Sequence, residues 1–119
     1  MSHTLNIKTE IRDINALTAA CTRLNIPITV GGTHKLFSTS EEGTAVHLEG
    51  WLYPAVIKAD GSVAYDTYGG LWGKDQKLHE LTAYYGLEKA KIEARKKGYS
   101  VYEARHEQTR KLELRIRVP

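Results

Sequence analysis

Residues 75–97 carry one long helical pattern, and Gly98 stops it. The period then changes. Residues 111–118 alternate without a break: Leu112, Leu114, Ile116 and Val118 fall on one face, and Lys111, Glu113, Arg115 and Arg117 on the other. Side chains repeat every 3.6 residues in a helix and every two in a strand, so the two patterns cannot be exchanged. The last third therefore reads as a helix feeding a β-hairpin. Its closing strand is expected to be well paired, with Leu112, Leu114 and Ile116 buried. That combination selects a mixed domain of helices and strands.

The rest of the chain fills in the order. Leu5, Ile7, Thr9 and Ile11 alternate with Asn6, Lys8, Glu10 and Arg12, as in a strand with one buried face. Asp13 is a good N-cap for a helix on which Ile14, Leu17, Cys21 and Leu24 share a stripe, and Asn25 and Pro27 close that helix. Residues 28–30 form a short strand pattern ended by Gly31 and Gly32. Residues 33–44 are polar and turn-rich and read as a loop. Residues 45–53 and 56–59 read as extended, with Pro54 as the break between them. Asp60 and Gly61, between residues 56–59 and 62–65, give the strongest hairpin signal in the chain. Residues 68–73 are a glycine-rich turn, and the long helix starts near Lys74 or Asp75. On that helix Leu78, Leu81, Tyr85 and Ile92 share one face. Ala83, Leu87, Ala90 and Ala94 lie nearly opposite, where the alanines read as helix formers. The order β-α-β-(hairpin)-α-β-β predicts an α+β fold, with two helices packed on a mostly antiparallel sheet in a ferredoxin-like or related sandwich.

At 119 residues the chain is expected to be a single domain, residues 1–119, able to bury a core without a metal or disulfide staple. Its single cysteine, Cys21, excludes an internal disulfide and lies on an apolar stripe, where a thiol acts as a small hydrophobe. The N-terminal residues show no basic stretch followed by an apolar one, and no apolar run is long enough to span a bilayer. The expected location is the cytoplasm, without a membrane partner.

The net charge of +3 is small but unevenly placed. Residues 89–119 hold ten Lys and Arg against four acids, a net of +6; residues 1–88 hold seven against ten, a net of −3. Such asymmetry marks a face for an acidic partner, or a merely solvated surface. The candidate partner-binding set is Lys89, Lys96, Lys97, Lys111, Arg115 and Arg117, on one strand face and the basic end of the long helix. The expected partner is an unidentified protein; nucleic acid is the alternative.

Other constellations are thinner. Residues 69–75 resemble a phosphate loop, but Tyr68 stands where that motif needs its first glycine and Asp75 where it needs Ser or Thr. What survives is a weak anion site at Gly70, Gly73 and Lys74, beside a helix start whose donors Asp75 would occupy as N-cap. Residues 97–102 echo the aromatic strand of RNA-recognition domains, but Gly98 is better explained as a helix stop. The five histidines lack metal-ligand spacing, no cysteine pair completes a tetrahedral site, and no cofactor is implied. No serine elbow or informative pair of carboxylates is present, so no catalytic residue is assigned. Glu88 interrupts the apolar stripe between Tyr85 and Ile92; it is expected to pair with an arginine or to sit at the stripe's edge. Trp51, Tyr53, Tyr65, Tyr68 and Trp72 crowd the middle, either as a pocket lining or as large core side chains.

The ends of the chain resemble a known family. Met1-Ser2-His3, Ile7-Lys8-Thr9, the helix over residues 13–24, the stretch at residues 85–101 and the closing strand are similar to the hypothetical chloroplast reading frame 35 family of plastids and cyanobacteria, part of a broad bacterial domain of unknown function. The resemblance implies a small, soluble, intracellular α+β protein of a bacterium, phage or plastid. It brings no catalytic residues with it.

Overall fold

A computed structural model describes the backbone of residues 5–7 and the whole of residues 10–119. The elements run β1 (Leu5–Ile7), α1 (Ile14–Arg23), β2 (Ile28–Thr29), β3 (Thr33–Lys35), β4 (Ser40–Glu42), β5 (Thr44–Val46), β6 (Ala55–Ile57), β7 (Val63–Tyr65), α2 (Asp75–Lys96), β8 (Ser100–Arg105) and β9 (Leu112–Arg117). The fold is α+β. The expected facing of Leu5, Ile7 and Thr9 lies outside the described side chains. Among the described residues no helix is long and apolar enough to cross a membrane.

Five strands form one antiparallel sheet in the order β1-β7-β6-β5-β2. Its centre is a meander, with Val46 opposite Ala55 and Ile57 opposite Val63. The turn at Asp60 and Gly61 joins β6 to β7 as expected, with the Lys58 amide donating to Ser62 O at 2.8 Å and the Gly61 amide to Lys58 O at 2.9 Å. Strand alternation divides the side chains between two cores. Val46, Ala55, Ile57, Val63 and Tyr65 meet α1 and α2 through Leu17, Ala20, Cys21, Leu78, Leu81 and Tyr85. Val56 and Ala64 face the other way, onto Leu36 and Tyr53.

Asp13 caps α1, its Oδ1 accepting from the amides of Asn15 (2.9 Å) and Ala16 (3.2 Å). Ala16, Leu17, Ala20 and Cys21 are the buried face; Ile14, expected in that stripe, is exposed. Burial pushes the Cys21 thiol up to about 11. The helix ends at Leu24, and Asn25 takes the left-handed conformation after it. The Tyr85 hydroxyl of α2 accepts from the amides of Arg12 (3.2 Å) and Asp13 (3.1 Å) and donates to Glu10 O, fixing the chain's entry into α1. α2 itself is preceded by Lys74, not Asp75, at the N-cap, and Lys74 makes no side-chain cap bond.

Two expectations about the strands are corrected. Residues 33–44 are not a loop: β3 and β4 pair as a hairpin, with His34 opposite Glu41. The hairpin is held by His34, whose Nε2 lies 2.8 Å from Gly31 O and 3.1 Å from Gly43 O, and by the fully buried Leu36. The second correction is larger. β8 and β9 do not join the main sheet but form a two-stranded sheet of their own, so the last strand does not return as a ferredoxin-like order would have it. Leu112 and Leu114 are only half-buried, and Ile116 is 48% exposed. Alternation reports that one strand face is apolar; α2 covers only part of that face.

Candidate functional site

The C-terminal ribbon begins where α2 stops. The Tyr99 amide donates to Ala94 O and the Gly98 amide to Arg95 O, both at 3.0 Å, a Schellman closure that needs the left-handed φ of +81° at Gly98. The chain leaves as β8, turns, and returns as β9. In the turn, the His106 amide donates to Lys111 O at 2.9 Å, and His106 Nδ1 accepts from the amides of Gln108 and Thr109 at 3.2 Å each.

The register fixes two faces. Ser100 pairs with Arg117, Tyr102 with Arg115, and Glu103 with Leu114. The inner face carries Val101, Glu103, Leu112, Leu114 and Ile116. Leu112 lines a shallow apolar groove with Ala83, Tyr84 and Leu87. Glu103 reaches Lys91 at 3.1 Å and bonds Arg23. Arg23 and Lys91 also hold Glu88, at 3.5 Å and 3.3 Å. Glu88 thus has the arginine partner expected of it, within a four-membered ion network joining α1, α2 and β8. Arg23 further stacks its guanidinium over the Tyr84 ring, 4.8 Å from its centroid. Arg23, with Lys91 beside it, holds the Glu103 carboxyl down to about 2.

The outer face carries Ser100, Tyr102, Ala104, Glu113, Arg115 and Arg117. Arg115 and Arg117 are exposed, Tyr102 is 51% exposed, and Glu113 lies 3.5 Å from Arg115. Lys97 ends α2 and Lys111 starts β9, both exposed. Lys96 is exposed but lies 3.6 Å from Glu93. Lys89 belongs elsewhere: its ammonium sits 3.0 Å from both Asp13 and Glu93, tying α2 to the cap of α1. The Asp13 carboxyl is lowered by that Lys89 bond first and by the Ala16 amide next. Tyr102 lies outside the candidate set, though inside the aromatic echo at residues 97–102; the strand register is what places it opposite Arg115.

The residues expected at a weak anion site lie in the turn before α2. The Gly70 amide donates to Thr67 O, and Lys74 O accepts from Trp51 Nε1 at 3.1 Å. Gly73 is required by close packing, since a Cβ there would stand 2.7 Å from the Trp51 ring. The aromatic middle divides between the two sheet faces. Trp51 packs on Tyr65 in the helix-side core, while Tyr53, Tyr68 and Trp72 gather with Phe37.

The class these features define is an α+β domain with a projecting cationic ribbon. No protein-family model, no curated protein and no solved structure matches the chain.

Proposed function

We propose that this is a small cytoplasmic binding protein without a catalytic centre, whose working surface is the outer face of β8–β9 and whose partner is an acidic surface of another protein. One observation carries the reading. Arg115 and Arg117 are exposed on the outer strand face, while Glu103 of the same ribbon is turned inward onto Arg23 and Lys91. Arg115 keeps only Glu113 of its own strand as a partner, at 3.5 Å, whereas Glu103 is consumed by the fold. Like charges on one strand face repel modestly and add nothing to stability. Lys97 and Lys111 extend the same surface, whereas Lys89 is excluded by its bonds to Asp13 and Glu93. The family resemblance of the chain ends belongs to this proposal as well, since a small accessory protein fits both.

Nucleic acid is the second reading. The exposed Tyr102 ring beside Arg115 supports it, because an aromatic ring flanked by arginine is a platform on which a base can stack.

The test is capture from native lysate with nuclease present, comparing the natural chain with the double variant R115E/R117E. The variant is expected to keep its stability within about 0.5 kcal/mol, since both side chains are exposed. It is expected to lose the captured protein, most clearly at low salt, through slower association. Capture that disappears on nuclease treatment moves the reading to nucleic acid. Capture unchanged by the double reversal refutes both readings.

A further inference from the structure

The sheet face away from the helices carries a second cluster, built by three loops. Trp72 lies 5.1 Å from Phe37 and 5.7 Å from Tyr53 between ring centroids, and Tyr68 stacks on it at 4.8 Å with planes 24° apart. These rings are not a closed core. Phe37 is 52% exposed. Leu52, whose amide donates to Trp72 O at 2.8 Å, and Leu71, the residue before Trp72, are 62% and 76% exposed.

Asp66 belongs to the same face. Val63 and Tyr65 point into the helix-side core and Ala64 into the opposite one, so Asp66 continues the Ala64 side. It is 1% exposed. Its Oδ1 accepts from the Tyr68 amide at 3.2 Å, while its Oδ2 is buried with no hydrogen-bond partner among the described residues. A buried carboxylate oxygen without a donor is costly, and the aromatic faces of the cluster present negative potential. Both features ask for the same complement, a cation that brings N–H donors.

We infer that this cluster binds a guanidinium group carried on an apolar peptide segment. Guanidinium is favoured over ammonium because it is planar. It lies flat on a ring while its edge donates to a carboxylate, and ammonium does only the second well. A peptide is favoured over a free cation because a guanidinium alone would leave Phe37, Leu52 and Leu71 uncovered, and grouped exposed apolar side chains mark interaction sites where scattered ones do not. Tyr68, in the left-handed region at φ +48° and stacked on Trp72, is the ring that turns aside to admit the donor. The site shares no residue with the ribbon and does not depend on its partner.

The test uses the isotope-labelled full chain titrated with acetyl-Leu-Arg-Leu-amide, with the neutral isostere in which citrulline replaces arginine, and with free arginine, following both indole N–H signals. Trp51 is the internal control, since it packs on Tyr65 in the other core. The Trp72 signal is expected to move saturably with the arginine peptide while Trp51 stays. The citrulline peptide and free arginine are expected to bind at least about ten-fold more weakly, about 1.4 kcal/mol. Asp66→Asn is expected to abolish the preference for arginine over citrulline. A silent Trp72 signal, equal binding of the two peptides, or a preference unchanged in Asp66→Asn overturns the site. Free arginine binding as tightly as the peptide overturns the choice of an apolar peptide as occupant. Should Asp66→Asn fail to fold, the arginine–citrulline comparison on the natural chain decides alone.

Discussion

Replacing Glu103 by glutamine keeps the side chain's shape and removes the charge that bonds Arg23 and Lys91. The carboxyl titrates at about 2 in the folded chain against an ordinary 4.5. That lowering corresponds to roughly 3 to 4 kcal/mol at about 1.4 kcal/mol for each ten-fold change in acidity. The Glu103 side chain is about a quarter exposed, so solvent screening lowers the expected loss to about 2 kcal/mol. Glu88 remains beside both cations, so neither is left unpaired. Because the folded pKa lies below the unfolded one, the stabilisation is complete above about pH 4.5 and vanishes as pH falls through about 2. Urea unfolding of both proteins at pH 7 should therefore show a gap of about 2 kcal/mol, or roughly 8 °C in the melting temperature. The gap should shrink steadily below pH 4.5. Amide exchange should show the loss concentrated in β8 and β9. A gap under about 0.5 kcal/mol at pH 7, or one that persists unchanged at pH 2, would refute the assignment of this network as the clamp between ribbon and helices.

Two further substitutions test the packing. Leu81→Ala, in the fully buried helix-side core, should cost about 2–5 kcal/mol, and Ile116→Ala on the half-covered ribbon face under about 1 kcal/mol; equal costs in chemical denaturation would show that the ribbon face is buried in solution. Gly73→Ala should cost about 1–3 kcal/mol by driving a methyl group into the Trp51 ring, with a changed near-ultraviolet dichroism signal; an unperturbed spectrum and melting curve would contradict that contact.

What could be read from the residues was local. Asp13 as a cap, the Asp60-Gly61 turn and the Gly98 stop each depend on a few neighbouring backbone groups, and each is observed. The β3–β4 hairpin was illegible because Thr33, His34 and Lys35 carry no apolar alternation; a histidine ring and one leucine hold it in place. The strand 112–117 misled for a different reason. Its pattern was correct, but the helix opposite it offers Ala83, Tyr84 and Leu87 near Leu112 and a charged Lys91 near Glu103, so Ile116 is left uncovered. Within the basic set, Lys89 could not be separated from Arg115 and Arg117 without knowing that the chain brings Asp13 back to α2 across 76 residues. Asp66 gave no signal beyond being an acid at the end of an apolar strand.

The ribbon's isolation has a consequence for how the protein survives at high concentration. Among the described residues the two-stranded sheet joins no other, which leaves both its outer edges without a strand partner, and β9 adds a half-covered row of Leu112, Leu114 and Ile116. Edges of that kind recruit further strands and seed fibrils unless something repels them. Lys111, Glu113, Arg115 and Arg117 interrupt the row at every second position, so any copy approaching edge to edge meets its own charges. Reversing Arg115 and Arg117 to glutamate preserves that repulsion, whereas alanine at both positions would remove it and turn the ribbon into a nucleus for aggregation.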